Sequence, residues 1–354
     1  MLIKTASSGA VQWNRTFESV GLAGIHSVFQ TKDGGYVLSG SNIVPPATSP
    51  VYSGWIIKTD SQGNIEWNKT IDLPLERCYV IQTSDERYVL TGYTANNVTG
   101  YLTKLDENGD VLWSKSFGEN SSRVFANAVL EVNDGGYVVG GSWDGEGWLM
   151  KTDSDGNLRW NQTYHLDGSN GYVFFAVAKT SDTGYVLAGG RLDTACLIKT
   201  DSQGNMDWNH IYTATGSLGF ASVAQTTGGY IAASSNSKQA WLAEIDTNGN
   251  FLGDAKYGDV RENVSSSASS VIVTDDGGFA VAGRLNSYTP TTAEGFQVTP
   301  QLDNNIWLAK FAPESTDLMP SPSVPEFPSW MILPLVLITV ISMSLLIKEK
   351  RKRP

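Results

Sequence analysis

The sequence predicts an all-β fold: a β-propeller of four-stranded antiparallel blades, followed by one C-terminal transmembrane helix. Three observations carry this. An Asp-x-x-Gly-x-x-x-Trp block recurs along the chain, an Asp-Gly-Gly-Tyr block alternates with it, and a charge-free apolar stretch precedes a basic tail.

The first block runs from Trp55 through Lys58, Asp60 and Gly63 to Trp67. It returns at Asp106, Gly109 and Trp113, at Asp153, Gly156 and Trp160, and at Asp201, Gly204 and Trp208. A worn copy at Asp246 and Gly249 has Gly253 in place of the Trp. The second block spans Asp33 to Tyr36, Asp134 to Tyr137 and Asp276 to Phe279, with looser versions ending at Tyr88, Tyr185 and Tyr230. Successive Asp60, Asp106, Asp153, Asp201 and Asp246 lie 45 to 48 residues apart, the period of a propeller blade.

Each period holds four strands. Strand a is of the Ser27–Thr31 type, strand b Tyr36–Gly40, strand c Trp55–Thr59 and strand d Asn64–Thr70. The a–b turn, Asp-Gly-Gly, supplies the positive φ of a tight hairpin. In the c–d turn the Asp side chain caps its own backbone and Gly fits the left-handed position of a bulged hairpin. Turns a–b and c–d therefore share one face, and connections b–c and d–a share the other.

The chain opens inside a repeat, with Leu2-Ile3-Lys4 matching strand c and Val11-Gln12-Trp13 matching strand d. It leaves the repeats at Ile306 to Phe311, a strand c. Six blades close if the first strand d completes the last blade. Seven form if the N-terminus is truncated, and an upstream start also supplies the export leader that Met1 to Gly9 lacks. The reading favours the longer form.

Net charge is −11, and without residues 348–354 the chain keeps 20 basic and 35 acidic side chains, net −15. Such a body repels phosphate backbones, so nucleic acid is not expected as a partner. Cys78 and Cys196 make neither a disulfide framework nor a metal set, and Cys196 reads as a small buried hydrophobe. His26, His165 and His210 are unclustered, so no metal or cofactor site is expected. Nucleophile elbows, phosphate loops and zinc-helix motifs are absent from the sequence.

Variation concentrates in the b–c loops: Asn42 to Ser53, Trp143 to Gly147, and Asn286 to Asn305. Variable loops on a repeat scaffold are where binding sits. Tyr52, Trp143, Tyr288 and Phe296 are the candidate binding-face residues, for a protein or glycan partner. A carbohydrate-active enzyme is the rival class, with Asp144, Glu146 and Glu294 as its available acids, and a structural envelope role is the third.

The Asp-x-x-Gly-x-x-x-Trp block resembles the tryptophan-docking repeat of quinoprotein-like propellers, over about residues 2–311, with a turn one residue shorter. That resemblance implies Trp wedged between neighbouring blades. The cofactor and calcium residues of quinoprotein dehydrogenases have no counterparts that can be placed here. The two blocks together look like the secreted propeller repeats of archaeal and bacterial surface proteins, which implies a scaffold and no particular reaction.

Residues 1–312 thus form the propeller and 313–329 a Pro/Ser-rich linker. Residues 330–347 are free of charge and reach about 27 Å as a helix, enough to span a bilayer core. The basic residues of 348–354 place the C-terminus in the cytoplasm and the propeller outside. Pro325-Glu326-Phe327-Pro328, an apolar stretch and a basic tail resemble the PEF-CTERM sorting signal of archaeal surface proteins. This implies recognition, and removal of the tail, by an archaeosortase-like protease. Asn-x-Ser/Thr sequons at Asn14, Asn68, Asn97, Asn120, Asn161 and Asn263 fit an exported glycoprotein. Strand d alternation turns Asn68 outward if Trp67 points inward. The reading is a cell-surface binding scaffold rather than an enzyme.

Overall fold

A computed structural model describes residues 1–6, 9–18, 22–44, 51–94, 99–118, 122–168, 171–191, 193–213, 219–236, 239–257, 265–286 and 305–311. A short hairpin, β1 (Leu2–Thr5) and β2 (Val11–Arg15), comes first. The first blade is β3 (Leu22–Gln30), β4 (Tyr36–Val44), β5 (Val51–Thr59) and β6 (Ile65–Ile71). The second is β7 (Leu75–Gln82), β8 (Tyr88–Thr94), β9 (Gly100–Leu105) and β10 (Val111–Phe117). The third is β11 (Val124–Glu131), β12 (Tyr137–Trp143), β13 (Glu146–Thr152) and β14 (Leu158–Tyr164). The fourth is β15 (Val173–Lys179), β16 (Tyr185–Arg191), β17 (Thr194–Thr200) and β18 (Met206–Thr213). The fifth is β19 (Ser222–Gln225), β20 (Gly229–Asn236), β21 (Gln239–Asp246) and β22 (Phe251–Tyr257). The sixth shows three strands among the described residues, β23 (Ser265–Val273), β24 (Phe279–Asn286) and β25 (Asn305–Phe311).

Every blade is an antiparallel meander in chain order, and each inner strand packs on the inner strand of the next blade, from β3 through β7, β11, β15 and β19 to β23. The result is a six-bladed propeller, without helix among the described residues. The strand d that begins the chain does not complete the sixth blade. β2 pairs with β1, and that hairpin lies between the last and first blades, with Ile3 against Ala282 and Leu308 and Leu2 against Leu38 and Trp55.

The core is a set of seams between blades rather than one central mass. Val37 and Ile56 of the first blade meet Cys78, Val80 and Leu90 of the second. Cys196 is fully buried in the equivalent seam between the third and fourth blades, the place expected for it. Burial pushes the Cys78 thiol up to about 12, so it stays protonated and unreactive.

The repeated Trp explains how one blade registers on the next. A Cβ built on Gly109 would stand 2.7 Å from the Trp67 ring, so the turn glycine is needed both for its φ of 81° and for that approach. Trp67 also donates its indole N–H to the Glu107 carbonyl at 3.2 Å and meets Tyr88 edge-on at 5.6 Å. The same ring-on-glycine contact joins Trp13 to Gly63, Trp113 to Gly156, Trp160 to Gly204 and Trp208 to Gly249. Each large ring closed against a neighbour in this way stabilises by about 2–3 kcal/mol.

Two expected loops are partly strand. β4 and β5 stay paired out to Val44 and Val51, so Asn42–Val44 and Val51–Ser53 are strand rather than connection. Trp143 pairs with Glu146 across a two-residue turn, Asp144 and Gly145, both with positive φ. That is the tight turn whose twist matches the flanking strands. The third expected loop falls at 287–304, outside the described residues. The linker, the apolar segment 330–347, the basic tail and Pro325 to Pro328 also lie outside them; among the described residues no helix is long and apolar enough to cross a membrane.

Candidate functional site

The face carrying the a–b and c–d turns, here the lower face, spends its polar groups on itself. Asp60 accepts from the N–H groups of Gln62 and Asn64 at 2.8 and 2.9 Å, and the turns at Asp106, Asp153, Asp201 and Asp246 repeat this. In the a–b turn Asp33 accepts from Thr31, from the Gly35 N–H and from Lys58 of strand c. Lys58 is 3% exposed, and it also holds Glu66. Lys104–Asp85, Lys151–Asp134, Lys199–Asp182 and Lys310–Asp276 are the same pair in other blades. Burial alone would raise the Asp33 carboxyl, but Lys58, Thr31 and Gly35 outweigh it and hold it at about 2.

The fifth blade shows that the pair is a unit. Its a–b turn, Thr226 to Gly229, has no Asp, and Glu244 stands at the lysine position opposite Ile231. Both partners are missing together. This clasp was not anticipated from the sequence, although the lysine belongs to the repeated block.

A cleft of about 340 Å³ also opens on the lower face, lined by Phe29, Lys32, Gln82, Ser84 and Glu131. Its polar atoms are engaged. The Lys32 N–H donates to Gln82 Oε1 at 2.8 Å, and Ser84 donates its N–H and hydroxyl to the two Glu131 oxygens at 2.7 and 2.8 Å. The cleft is the seam of an inter-blade clasp.

The opposite, upper face breaks the repeat. Register places Tyr79 opposite Thr91, where the other blades pair Ser27 with Ser39, Ala128 with Gly140, Ala176 with Ala188, Ser222 with Ala233 and Ser270 with Ala282. Arg77 faces Tyr93, where the sisters set Gly24 against Ser41, Phe125 against Ser142, Val173 against Gly190 and Ser267 against Arg284. The second blade alone therefore puts two tyrosines where the other blades carry small residues or, at one position, Arg284. They belong to one cluster at the inner upper end of the seam with the third blade. Tyr93 meets Phe125 edge-on at 4.9 Å, and the Arg123 guanidinium lies 5.7 Å over the Phe125 ring. Arg77 sits beside the Tyr79 and Tyr93 phenols; burial would lower its pKa, and those phenols with Glu76 raise it. His26, across the neighbouring seam, accepts from the Cys78 N–H at 3.4 Å, and burial, then Arg77, lowers it to about 4.

Of the four candidate binding residues, Trp143 ends β12 in the third blade, in the strand next to the one that carries Phe125. It pairs with Val124, the residue after Arg123, and packs on Trp148 at 5.6 Å. Asp144 locks the arrangement by accepting the Arg123 N–H at 2.7 Å and returning its own N–H to the Arg123 carbonyl at 2.8 Å. Tyr52 lies in another blade, half-buried opposite Ile43; Tyr288 and Phe296 fall outside the described residues. Among the acids set aside for an enzyme, Asp144 is this cap, Glu146 lies 2.9 Å from His165 Nδ1, and Glu294 falls outside the described residues. Self-comparison of the repeats held the missed signal, since Tyr79 and Tyr93 are departures from small residues. Strand register was needed to align them.

Asn14, Asn68 and Asn161 are exposed on outer strands, as alternation implied, and Asn97, Asn120 and Asn263 lie outside the described residues. Asn68 and Asn161 accept the indole N–H of Trp55 and Trp148, and Asp254 does the same for Trp241. An acceptor for the strand c Trp accounts for these Asn residues by packing.

No protein-family model matches the chain, and no curated protein matches it. Solved structures do. A protein of unknown function from Dyadobacter fermentans DSM 18053 is 12% identical, with a TM-score of 0.53, covering 81% of this chain and 94% of that one. A protein from Lactobacillus plantarum is 10% identical, with a TM-score of 0.51, covering 81% and 88%. Sqt1 from Chaetomium thermophilum, bound to the N-terminus of ribosomal protein L10, is 15% identical, with a TM-score of 0.48, covering 75% and 71%. Likeness at these identities shows the fold alone.

Proposed function

We propose that the chain is a cell-surface binding scaffold that holds a protein partner by its upper face. The break in the repeat at Arg77, Tyr79 and Tyr93 carries this reading. Repeat architecture needs small residues there to let blades converge, so bulky ones demand another reason than packing. Arginine and aromatic residues set together on a rigid sheet end have the composition of an interface hot spot. The cluster is preorganised, since Asp144 pins the Arg123 backbone and Tyr93 is only 8% exposed. Asp144 and Glu146 are each engaged in holding structure, which favours binding over acid–base chemistry. Surface display rests on the sequence of 325–354, where the Pro-Glu-Phe-Pro motif, apolar stretch and basic tail follow one another.

Selection of a random peptide library on the purified protein tests the reading. Recovered peptides should lose about tenfold or more in affinity on Tyr93→Ser and on Arg123→Ala, with the fold retained by circular dichroism. Peptides that bind both variants as well as the parent would place the site elsewhere and overturn it.

A further inference from the structure

The cations of the two faces are treated differently. Each strand c lysine described above has a carboxylate: Lys58 has Asp33 and Glu66 at 2.7 and 2.6 Å, Lys104 has Asp85 at 2.9 Å, and Lys310 has Asp276 at 2.6 Å. Lys199 has both Asp182 and Asp207. Arg87 and Arg159 pair with Asp85 and Asp153. Arg77 and Arg123 form no such pair among the described residues, in a chain of net charge −11. The Arg123 guanidinium rests on the Phe125 ring, and Arg77 donates to the Tyr79 phenol beside Tyr93, with its remaining donors in no carboxylate hydrogen bond among the described residues. A ring face orients a guanidinium but leaves most of its five N–H donors unused, and a planar fork of donors fits a carboxylate.

The rings themselves are occupied. Phe125 carries Arg123 on its face and takes the Tyr93 ring edge-on at 4.9 Å, and Trp143 packs at 60° on Trp148. A sugar ring needs an open aromatic face, and Arg123 lies over the Phe125 ring, which favours recognition by the guanidinium donors.

We propose that Arg77 and Arg123 receive side-chain carboxylates of an acidic peptide segment of a partner protein, laid across the upper seam between the second and third blades. This rests on the binding-scaffold reading and names the chemistry of the partner. The acidic body opposes such a peptide at long range, so affinity comes from local pairs on a pinned backbone and association is slow.

The test uses the full chain and a fluorescent peptide of alternating Glu and Gly, its Gln counterpart, and an oligogalacturonate, followed by anisotropy. The Glu peptide is expected to bind about tenfold or more tighter than the Gln peptide. Arg77→Gln and Arg123→Gln should each cost it about tenfold, with thermal melting unchanged within a few degrees. Equal binding of the Glu and Gln peptides, or indifference to both substitutions, overturns the proposal. Oligogalacturonate binding as tightly, with the same arginine dependence, overturns the assignment to a peptide. Library peptides that need Tyr93 yet carry no acidic residues would sink the acidic partner while leaving the scaffold reading standing.

Discussion

The lower and upper faces of the propeller are made by the same strands, and they spend side chains in opposite ways. On the lower face the first four blades repeat one another: a glycine under a Trp ring, an Asp in the turn, and a Lys reaching back to an Asp. On the upper face the second blade departs from its sisters, and Arg77 there and Arg123 of the next blade form no ion pair among the described residues. Uniformity on one side and exception on the other separate what holds the ring from what it presents. A repeat tolerates exceptions only where neighbouring blades do not depend on them.

That contrast can be broken from the lower side first. Trp67→Ala removes a ring seated on Gly109 and is expected to cost about 3 kcal/mol in guanidinium unfolding, with affinity at the upper face unchanged in the folded protein. Gly253→Trp, at a position with no neighbour within 4 Å of a built Cβ, should bring no matching gain. Lys58→Ala is next, at about 1–2 kcal/mol, because Asp33 and Glu66 are half exposed and can hydrate once released. A gain in stability from Glu244→Lys, in the blade with no Asp to meet it, would show that the lysine acts without its partner.

Smaller effects sharpen the upper side. Tyr93→Ser returns the second blade to the repeat and is expected to cost about 1 kcal/mol of stability while removing most binding. A stability loss as large as that of Trp67→Ala would mean that Tyr93 is a packing residue after all. Asp144→Ala, which frees the Arg123 backbone, should cost about 1 kcal/mol and weaken binding a few-fold.

Acid acts on the lower face through the clasp carboxyls. Asp33, Asp182 and Asp276 are held at about 2, below the ordinary carboxyl near 4, so they contribute stability above about pH 4 that is lost as pH falls toward 2. Melting temperature should fall through that window, and Asp33→Asn should flatten the slope. An unchanged slope would remove the clasp as its cause.

Blades and turns were legible because each rests on local chemistry: period-two alternation, a glycine at positive φ, an Asp that caps its own turn. The seating of Trp67 came from the resemblance to tryptophan-docking repeats. The blunt errors were at b–c. Asn42–Ser53 looks like a loop because Pro45, Pro46 and Pro50 interrupt it, yet its flanks zip into strand through pairing with each other. Trp143–Gly147 reads as a connection until Trp143 and Glu146 are seen to pair.

By itself, then, the sequence determined the repeat, the four strands of a blade, the side of the disc on which each turn falls, and the outward Asn68. Only the tertiary structure decided that Lys58 meets Asp33 from 25 residues away and that Arg77, Tyr93, Phe125 and Arg123 share one seam. The physical reason is range. Turn and strand preferences act within a few residues, whereas a seam joins side chains of different blades, and which pairs meet there depends on bulges and register that no single repeat contains.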